Sequence, residues 1–223
     1  MRGTKNMKKY KNLLFDLDGT LTDSGEGIIN SVKNALNYFK IEVNNKEELK
    51  RFIGPPLGES FCNFYNLSEE ESKIAIEKYR EYFKEKGIFE NKVYDGIDKL
   101  LEKLYGNDKK IFLATSKPEH FARQILKHFD LEKYFTYVKG ATMDLSISKK
   151  PQIVELTIKE CNLNLEETIM IGDRKEDIIG AKENGIDSVG ALYGYGDYEE
   201  LSKEGATYII KDVKELSELL NKY

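Results

Sequence analysis

Two carboxylates near the N-terminus, separated by a single residue, are the side chains of this sequence best suited to catalysis. They belong to the segment Asp16-Leu17-Asp18-Gly19-Thr20. At the end of a strand, two carboxylates with this spacing can converge on a single reacting centre. The same composition is also typical of a plain turn, because aspartate and glycine both favour turn conformations. The spacing alone therefore leaves a structural turn open beside a functional site.

Polar side chains that suit the same chemistry follow other short apolar runs further along the chain. Thr115 and Ser116 come directly after one such run, and Asp173 comes after another, with Asp177 four residues later. Lys150 stands directly before a proline. Hydroxyl donors, a cation and several carboxylates together form a set of groups suited to binding a phosphoryl group and a divalent metal ion.

Short apolar runs predict the strands that would position these side chains. The runs cover residues 12–15, 111–114, 168–171, 188–192 and 208–210. Apolar residues with helical spacing lie between them, and this alternation predicts an α/β fold with a doubly wound parallel sheet. In open parallel sheets the ligand crevice lies at the carboxyl ends of the strands. The strand before Asp16 therefore favours a functional role for this aspartate.

The segment after the first strand interrupts the alternation, because its apolar residues have helical spacing and predict no strand. The first helical stripe consists of Ile28, Ile29, Val32, Leu36 and Phe39. Part of a second stripe consists of Ile74, Tyr79 and Phe83. Ser68 and Glu71 form a capping-box pattern at the start of the second helix. We interpret residues 24–89 as an all-helical cap domain inserted into an α/β core of residues 1–23 and 90–223.

Composition and charge limit the classes of partner. The chain has 223 residues, with 35 lysines and arginines against 39 aspartates and glutamates. This balance gives no reason to expect a nucleic-acid polymer or a membrane surface as partner. Cys62 and Cys161 are far apart, which predicts buried free thiols and a reducing compartment. No apolar run reaches the roughly 18 residues of a membrane span, so we expect a cytoplasmic protein.

Four motifs in a fixed order resemble those of the haloacid dehalogenase superfamily. They are FDLDGT, LATSK, SKKP and IGDRKEDIIGA, and the resemblance covers about residues 11–215. It implies that Asp16 attacks phosphorus and forms an aspartyl-phosphate, and that Asp18 acts as general acid and then as base. It also implies a Mg²⁺ ion held by Asp16, Asp173 and the backbone carbonyl of Asp18. Asp177 is either a further metal ligand or a support for the helix start.

The resemblance also suggests which residues hold the phosphoryl oxygens. Thr115 and Lys150 match the residues that do so in the family. Lys149 is a rival for the lysine role, although the family lysine commonly stands directly before proline, as Lys150 does. Ser116 and Lys117 match positions that contact the substrate in some relatives and lie at the periphery in others.

Two glycine-containing segments have an open interpretation. In the cap, the rigid turn that contains Gly54 and Pro55 could press its backbone and Arg51 against a substrate. It could equally be punctuation between two helices. The loop of residues 193–196, Tyr-Gly-Tyr-Gly, could approach a ligand or only turn the chain.

Three further segments indicate a subgroup within the superfamily. TLTDSGEGI, RFIGPPLGES and GIFENKVYDGI are similar to phosphoglycolate phosphatases and related 5'-nucleotidases, which carry a small helical cap. The predicted function is a Mg²⁺-dependent phosphomonoesterase of a small phosphorylated metabolite, as a monomer or homodimer. Asp18 argues against a dehalogenase, whose relatives lack this second carboxylate. The alternatives are a phosphosugar mutase similar to β-phosphoglucomutase and a non-catalytic binding protein on the same scaffold.

Overall fold

A computed structural model describes residues 10–221, so the ends of the predicted core lie outside the described residues. The strands are β1 (Asn12–Phe15), β2 (Thr22–Asp23), β3 (Lys92–Val93), β4 (Lys110–Pro118), β5 (Tyr137–Ala141), β6 (Thr168–Gly172), β7 (Asp187–Ala191) and β8 (Tyr208–Ile210). The α-helices are α1 (Gly25–Tyr38), α2 (Leu57–Tyr65), α3 (Glu69–Tyr82), α4 (Ile97–Gly106), α5 (Glu119–His128), α6 (Lys150–Glu160), α7 (Lys175–Glu183), α8 (Tyr198–Glu204) and α9 (Val213–Asn221). Strands and helices thus alternate after β3, as predicted.

Six of the strands form one parallel sheet in the order β5-β4-β1-β6-β7-β8. Phe15 at the end of β1 pairs with Leu113 on one side and with Ile171 on the other. This register brings the carboxyl ends of the three central strands to one edge. The five strands predicted from apolar runs are confirmed. The sequence did not predict β5, because this outer strand alternates buried and half-buried residues and lacks a continuous apolar run.

Both faces of the sheet are buried. Leu13 and Phe15 pack into one apolar cluster, together with residues of α1, α3, α4, α5 and α9. Leu14 between them packs into a second cluster, with residues of α6 and α7. Successive side chains of a strand point to opposite faces, so a strand covered on both sides needs a continuous apolar run. The predicted doubly wound α/β fold is confirmed.

Helices fill the segment between β2 and β3. It contains α1, a 3₁₀ helix (Lys46–Phe52), α2, α3 and a π-helical turn (Phe83–Gly87). The predicted capping box is present, since Ser68 N–H donates to Glu71 and Glu71 N–H donates to Ser68 Oγ. The prediction for Ile74 was wrong. Its side chain is 38% exposed, and Ile76, which is two residues away and so faces the other side of α3, is buried instead.

A short antiparallel ribbon stands at the base of the helical segment. In it Thr22 of β2 pairs with Val93 of β3, and Asp23 pairs with Lys92. The chain therefore leaves for the helices and returns from them side by side. The predicted domain boundaries, after residues 23 and 89, fall next to this ribbon. The division into two domains remains a prediction.

Two smaller predictions concern the cysteines and membranes. Cys62 and Cys161 are free thiols, as predicted, but both are half-buried rather than buried. Cys62 lies beside Phe61, which takes the buried position on α2. Within residues 10–221, no helix has both the length and the apolar character that crossing a membrane requires.

Candidate active site

The carboxyl ends of the three central strands carry the charged side chains that the sequence singled out. Asp16 directly follows β1, Thr115 lies in the last part of β4, and Asp173 directly follows β6. Lys150 is the first residue of α6, and Asp177 lies in the first turn of α7. All five side chains are buried, although four of them are ionisable. Buried charges of this kind require partners or a bound ion.

Lys150 is the cation at the centre of this group. Its Nζ lies 2.7 Å from Asp16 Oδ1 and 2.9 Å from Asp177 Oδ1, and it donates a hydrogen bond to the Ala114 carbonyl. Lys149 instead is exposed and lies 3.5 Å from Glu59 in an ion pair at the surface. The structure thus brings Lys150, and not its neighbour, to Asp16.

The pKa values of these groups follow from burial and from the charges nearby. Burial raises the pKa of Asp16 to about 6, with Asp177 and Asp18 adding to the rise and Lys150 opposing it. Burial and the charge of Asp177 also hold the pKa of Asp173 well above its usual range. Burial would lower the pKa of Lys150, but the two carboxylates in contact with it outweigh burial and raise it. Ionisation of all the carboxyl groups in the site is therefore unfavourable unless a further cation is bound.

The donor set fits a divalent metal ion. Asp16, Asp173 and Asp177 each offer an oxygen, and these atoms lie within 4.8 Å of one another. With Asp18, four buried carboxylates face two buried lysines, so negative charge is in excess. Carboxylate oxygens are the ligands that Mg²⁺ prefers. Asp177 also accepts a hydrogen bond from the Arg174 N–H at the start of α7, so both roles considered for it are compatible with its position.

Hydrogen bonds from two loops orient the carboxylate of Asp173. Thr20 Oγ1 donates to one oxygen at 3.1 Å, and the Tyr195 N–H donates to the other at 2.8 Å. Gly19 has a φ of +82°, and a Cβ there would lie 2.2 Å from Asp173 Oδ2. Only glycine permits this approach. The 193–196 loop, whose role the sequence left open, therefore reaches the candidate site.

Lys117 holds the second carboxylate of the N-terminal motif. Its Nζ lies 2.7 Å and 3.0 Å from the two carboxylate oxygens of Asp18, and both side chains are buried. The same Nζ lies 4.7 Å from the centre of the Phe83 ring, which belongs to the helical segment. Lys117 thus lies where the sheet edge and the helices meet, a position that sequence reasoning could not assign.

A pocket opens between this edge of the sheet and the helical segment. On the sheet side it is lined by Asp16, Asp18, Thr115, Ser116 and Lys117, and on the helical side by residues that include Phe52, Gly54, Pro55, Pro56, Leu57, Ile76, Tyr79, Arg80 and Phe83. Of the cap residues predicted to bind substrate, Gly54 and Pro55 therefore face the pocket. Arg51 does not line it, because its guanidinium lies 4.4 Å from the centre of the Phe64 ring.

Sequence reasoning missed the half-buried Arg80 and the aromatic wall around it. Tyr79 and Phe83 stack with their ring centres 5.5 Å apart, and both are buried. They belong to the helical stripe that also packs against the core, and the same spacing predicts either role. The only sequence feature that pointed to Arg80 was its position next to Tyr79. This position is equally compatible with a residue that lines the pocket and with one at the protein surface.

Comparison with known proteins gives consistent results. A family described as haloacid dehalogenase-like hydrolase matches residues 13–191. The crystal structure of a predicted phosphatase from Clostridium acetobutylicum is 48% identical, with a TM-score of 0.94, over 96% of this chain and 99% of that one. A 5'-nucleotidase of Pseudomonas aeruginosa is 39% identical over 96% of this chain and 97% of its own length.

Two further relatives show the range of names among similar proteins. A phosphoglycolate phosphatase of Vibrio parahaemolyticus is 29% identical over 94% of this chain and 96% of its own length. The tyrosine-protein kinase PtkA of Mycobacterium tuberculosis is 36% identical over 88% of this chain and 67% of its own length. The predicted resemblance to phosphoglycolate phosphatases and 5'-nucleotidases is confirmed. By its motifs, its fold and its relatives, the chain belongs to the haloacid dehalogenase-like hydrolases.

Proposed function

We propose that the protein is a Mg²⁺-dependent phosphomonoesterase of a small cytoplasmic phosphate ester, acting through an aspartyl-phosphate on Asp16. One observation carries this proposal. Asp16 is buried directly after β1 and contacts Lys150. It faces a pocket that is lined by both the sheet edge and the helical segment. The relatives named 5'-nucleotidase and phosphoglycolate phosphatase support the reaction class.

The first step would be attack of the Asp16 carboxylate on phosphorus. A bond from Asp16 to phosphorus forms while the ester bond breaks, and Asp18 gives its proton to the leaving oxygen. Lys150 keeps Asp16 ionised, since it lies 2.7 Å from the carboxylate. In the second step Asp18 takes a proton from water, which attacks phosphorus, releases phosphate and regenerates Asp16.

Charge has to be neutralised before two anions can react. Asp16, Asp173, the Asp18 carbonyl and either Asp177 or water would hold Mg²⁺, which would draw the phosphoryl oxygens towards the nucleophile. Thr115, buried in the last part of β4, would donate its hydroxyl hydrogen to a phosphoryl oxygen. Lys150 would add a positive charge on the same side.

The substitution Asp16→Asn tests the reaction class without knowledge of the natural substrate. We expect it to lower the Mg²⁺-dependent hydrolysis of p-nitrophenyl phosphate by at least about 10³-fold, since the nucleophile is lost. Asp98→Asn on the exposed face of α4 is the matched control and should keep full activity. Activity of Asp16→Asn close to that of the wild type would overturn the proposal.

A panel of phosphate esters would then identify the substrate. Nucleoside 5'-monophosphates and phosphoglycolate come first, because relatives carry these names. They are ranked by kcat/KM with released phosphate as the readout. Glucose 1-phosphate primed with the bisphosphate tests the mutase alternative. Isomerisation to glucose 6-phosphate would support a mutase, whereas phosphate release without isomerisation would exclude it.

A further inference from the structure

Arg174 reaches from the candidate metal site to the helical segment. It directly follows Asp173, and its side chain is only 11% exposed. Its Nη1 donates a hydrogen bond to the carbonyl of Ile53, which lies at the end of the 3₁₀ helix 121 positions away. No step of the proposed reaction uses this guanidinium.

Glu200 of α8 holds the other side of the guanidinium. Its Oε1 lies 2.9 Å from Arg174 Nε and also accepts a hydrogen bond from the Lys175 N–H at 2.7 Å. The Glu200 N–H in turn donates to Asp197, the residue that caps α8. Contacts with the core therefore orient the guanidinium, and its far side contacts the helical segment.

Gly54 shapes the contact on the helical side. It has a φ of +108°, and a Cβ at this position would lie 2.7 Å from Arg174 Cγ. The arginine stem thus packs against a backbone that only glycine can supply at this distance. Residues 53–56, which we call the strap, contribute Gly54, Pro55 and Pro56 to the wall of the pocket.

We propose that Arg174 is a positioning residue that, with Glu200, fastens the strap over the reaction centre. The proposal rests on the proposed function only for its kinetic readout. The two sides are also joined by an ion pair, Lys149 to Glu59, which is 3.5 Å long with side chains 65% and 55% exposed. Exposed pairs of this kind contribute little. Of these two polar contacts between the sides, the partly buried one made by Arg174 is therefore the one expected to hold the strap, in addition to the apolar packing of Ile53.

Amide hydrogen exchange of peptides within residues 50–62 tests the contact without any assay of activity. We expect Arg174→Ala and Glu200→Gln to exchange about tenfold faster in this segment than the wild type, because the charged hydrogen bond that orders it is lost or weakened. Glu59→Gln, which removes the exposed ion pair, should exchange like the wild type. Thermal unfolding shows that each variant is folded. Unchanged exchange in both Arg174→Ala and Glu200→Gln would overturn the proposal.

Kinetics tests what the strap does. With the best substrate of the panel, Arg174→Ala should raise KM about tenfold while kcat changes less than about threefold, and Glu200→Gln should give a smaller shift in the same direction. Arg174→Lys should restore little, since one ammonium cannot contact both Glu200 and the Ile53 carbonyl. A fall in kcat at constant KM would mean that Arg174 acts on Asp173 instead, and would overturn the proposal. An inactive wild type would refute the proposed function, while the exchange experiment would still decide the contact.

Discussion

The pocket has two unlike walls. The wall at the sheet edge is charged, and each of its ionisable side chains has a specific partner, as in the contacts of Lys150 with Asp16 and of Lys117 with Asp18. The wall contributed by the helical segment is largely apolar and aromatic, with Arg80 as its half-buried cation. Under the proposed function, the charged wall would hold the reacting phosphoryl group and the apolar wall the remainder of the substrate.

We therefore expect substitutions in the two walls to have different effects. Removing a charge from the sheet edge leaves its partner buried and unpaired, which affects both the reaction and the stability of the fold. Under the proposed function, changes in the helical wall should alter mainly which leaving group is bound. Substitutions on each wall, and the response of metal binding and stability to pH, distinguish the two.

Asp18→Asn should lower kcat by about 10²- to 10⁴-fold for alkyl phosphates, because their leaving oxygen needs a proton. The loss should be much smaller for p-nitrophenyl phosphate, whose leaving group departs without one. Steady-state kinetics with both classes of ester measure the difference. An equal loss for both classes would show that Asp18 does not act as the acid and would leave it only a structural part in the charged wall.

Lys150→Met and Lys149→Met compare the same substitution at neighbouring positions. Lys150→Met should lower the free energy of unfolding by about 3 kcal/mol, because two buried carboxylates lose their cation. Lys149→Met should change it by less than about 0.5 kcal/mol, since this side chain is exposed. Urea unfolding at neutral pH gives both values. Similar values for the two variants would contradict the central position of Lys150.

Mg²⁺ binding should weaken as the pH falls through the pKa of Asp16, which burial raises to about 6. A protonated carboxylate is a poor ligand, so the apparent affinity should be about tenfold lower at pH 5 than at pH 7. Calorimetric titration of Mg²⁺ at pH 5, 6, 7 and 8 measures this dependence. Equal affinity across the series would contradict a site that includes Asp16.

The same pKa has a consequence for stability without metal. A carboxyl group whose pKa is higher in the folded state contributes stability below its unfolded pKa and loses that contribution as the pH rises through about 6. The Mg²⁺-induced rise in Tm should therefore be larger at pH 7 than at pH 5. Asp16→Asn should reduce this pH dependence, and Asp173, whose pKa burial also raises, should account for the remainder. An equal rise in Tm at both pH values in the wild type would contradict the prediction.

Arg80→Ala and Arg51→Ala compare two arginines of the helical segment. Arg80 lines the pocket, and burial lowers its pKa, whereas Arg51 packs on Phe64 outside the pocket. Arg80→Ala should lower kcat/KM about fivefold for substrates with a polar or anionic leaving group, or about 1 kcal/mol, which is the net contribution of a typical hydrogen bond. Arg51→Ala should have no effect. The opposite order would assign substrate binding to Arg51, as its sequence context first suggested.

Much of the fold could be predicted because its signals are local. A strand buried on both faces needs consecutive apolar residues, and this requirement identified β1, β4, β6, β7 and β8. The capping box of Ser68 and Glu71 also lies within four residues. The outer strand β5 and the exposed Ile74 were not predicted correctly, because their burial depends on neighbours that are distant in sequence.

The motifs alone identified the reactive groups: the aspartates, the hydroxyl of Thr115 and a lysine before proline. Their pairing followed only from the way the chain folds. Lys117 contacts Asp18 across 99 positions, and Arg174 contacts Ile53 across 121. Local propensity restricts the backbone of a few residues, whereas these contacts depend on how a whole helical segment packs against the sheet. The charged side of the pocket could therefore be predicted from motifs, while its helical wall required the fold.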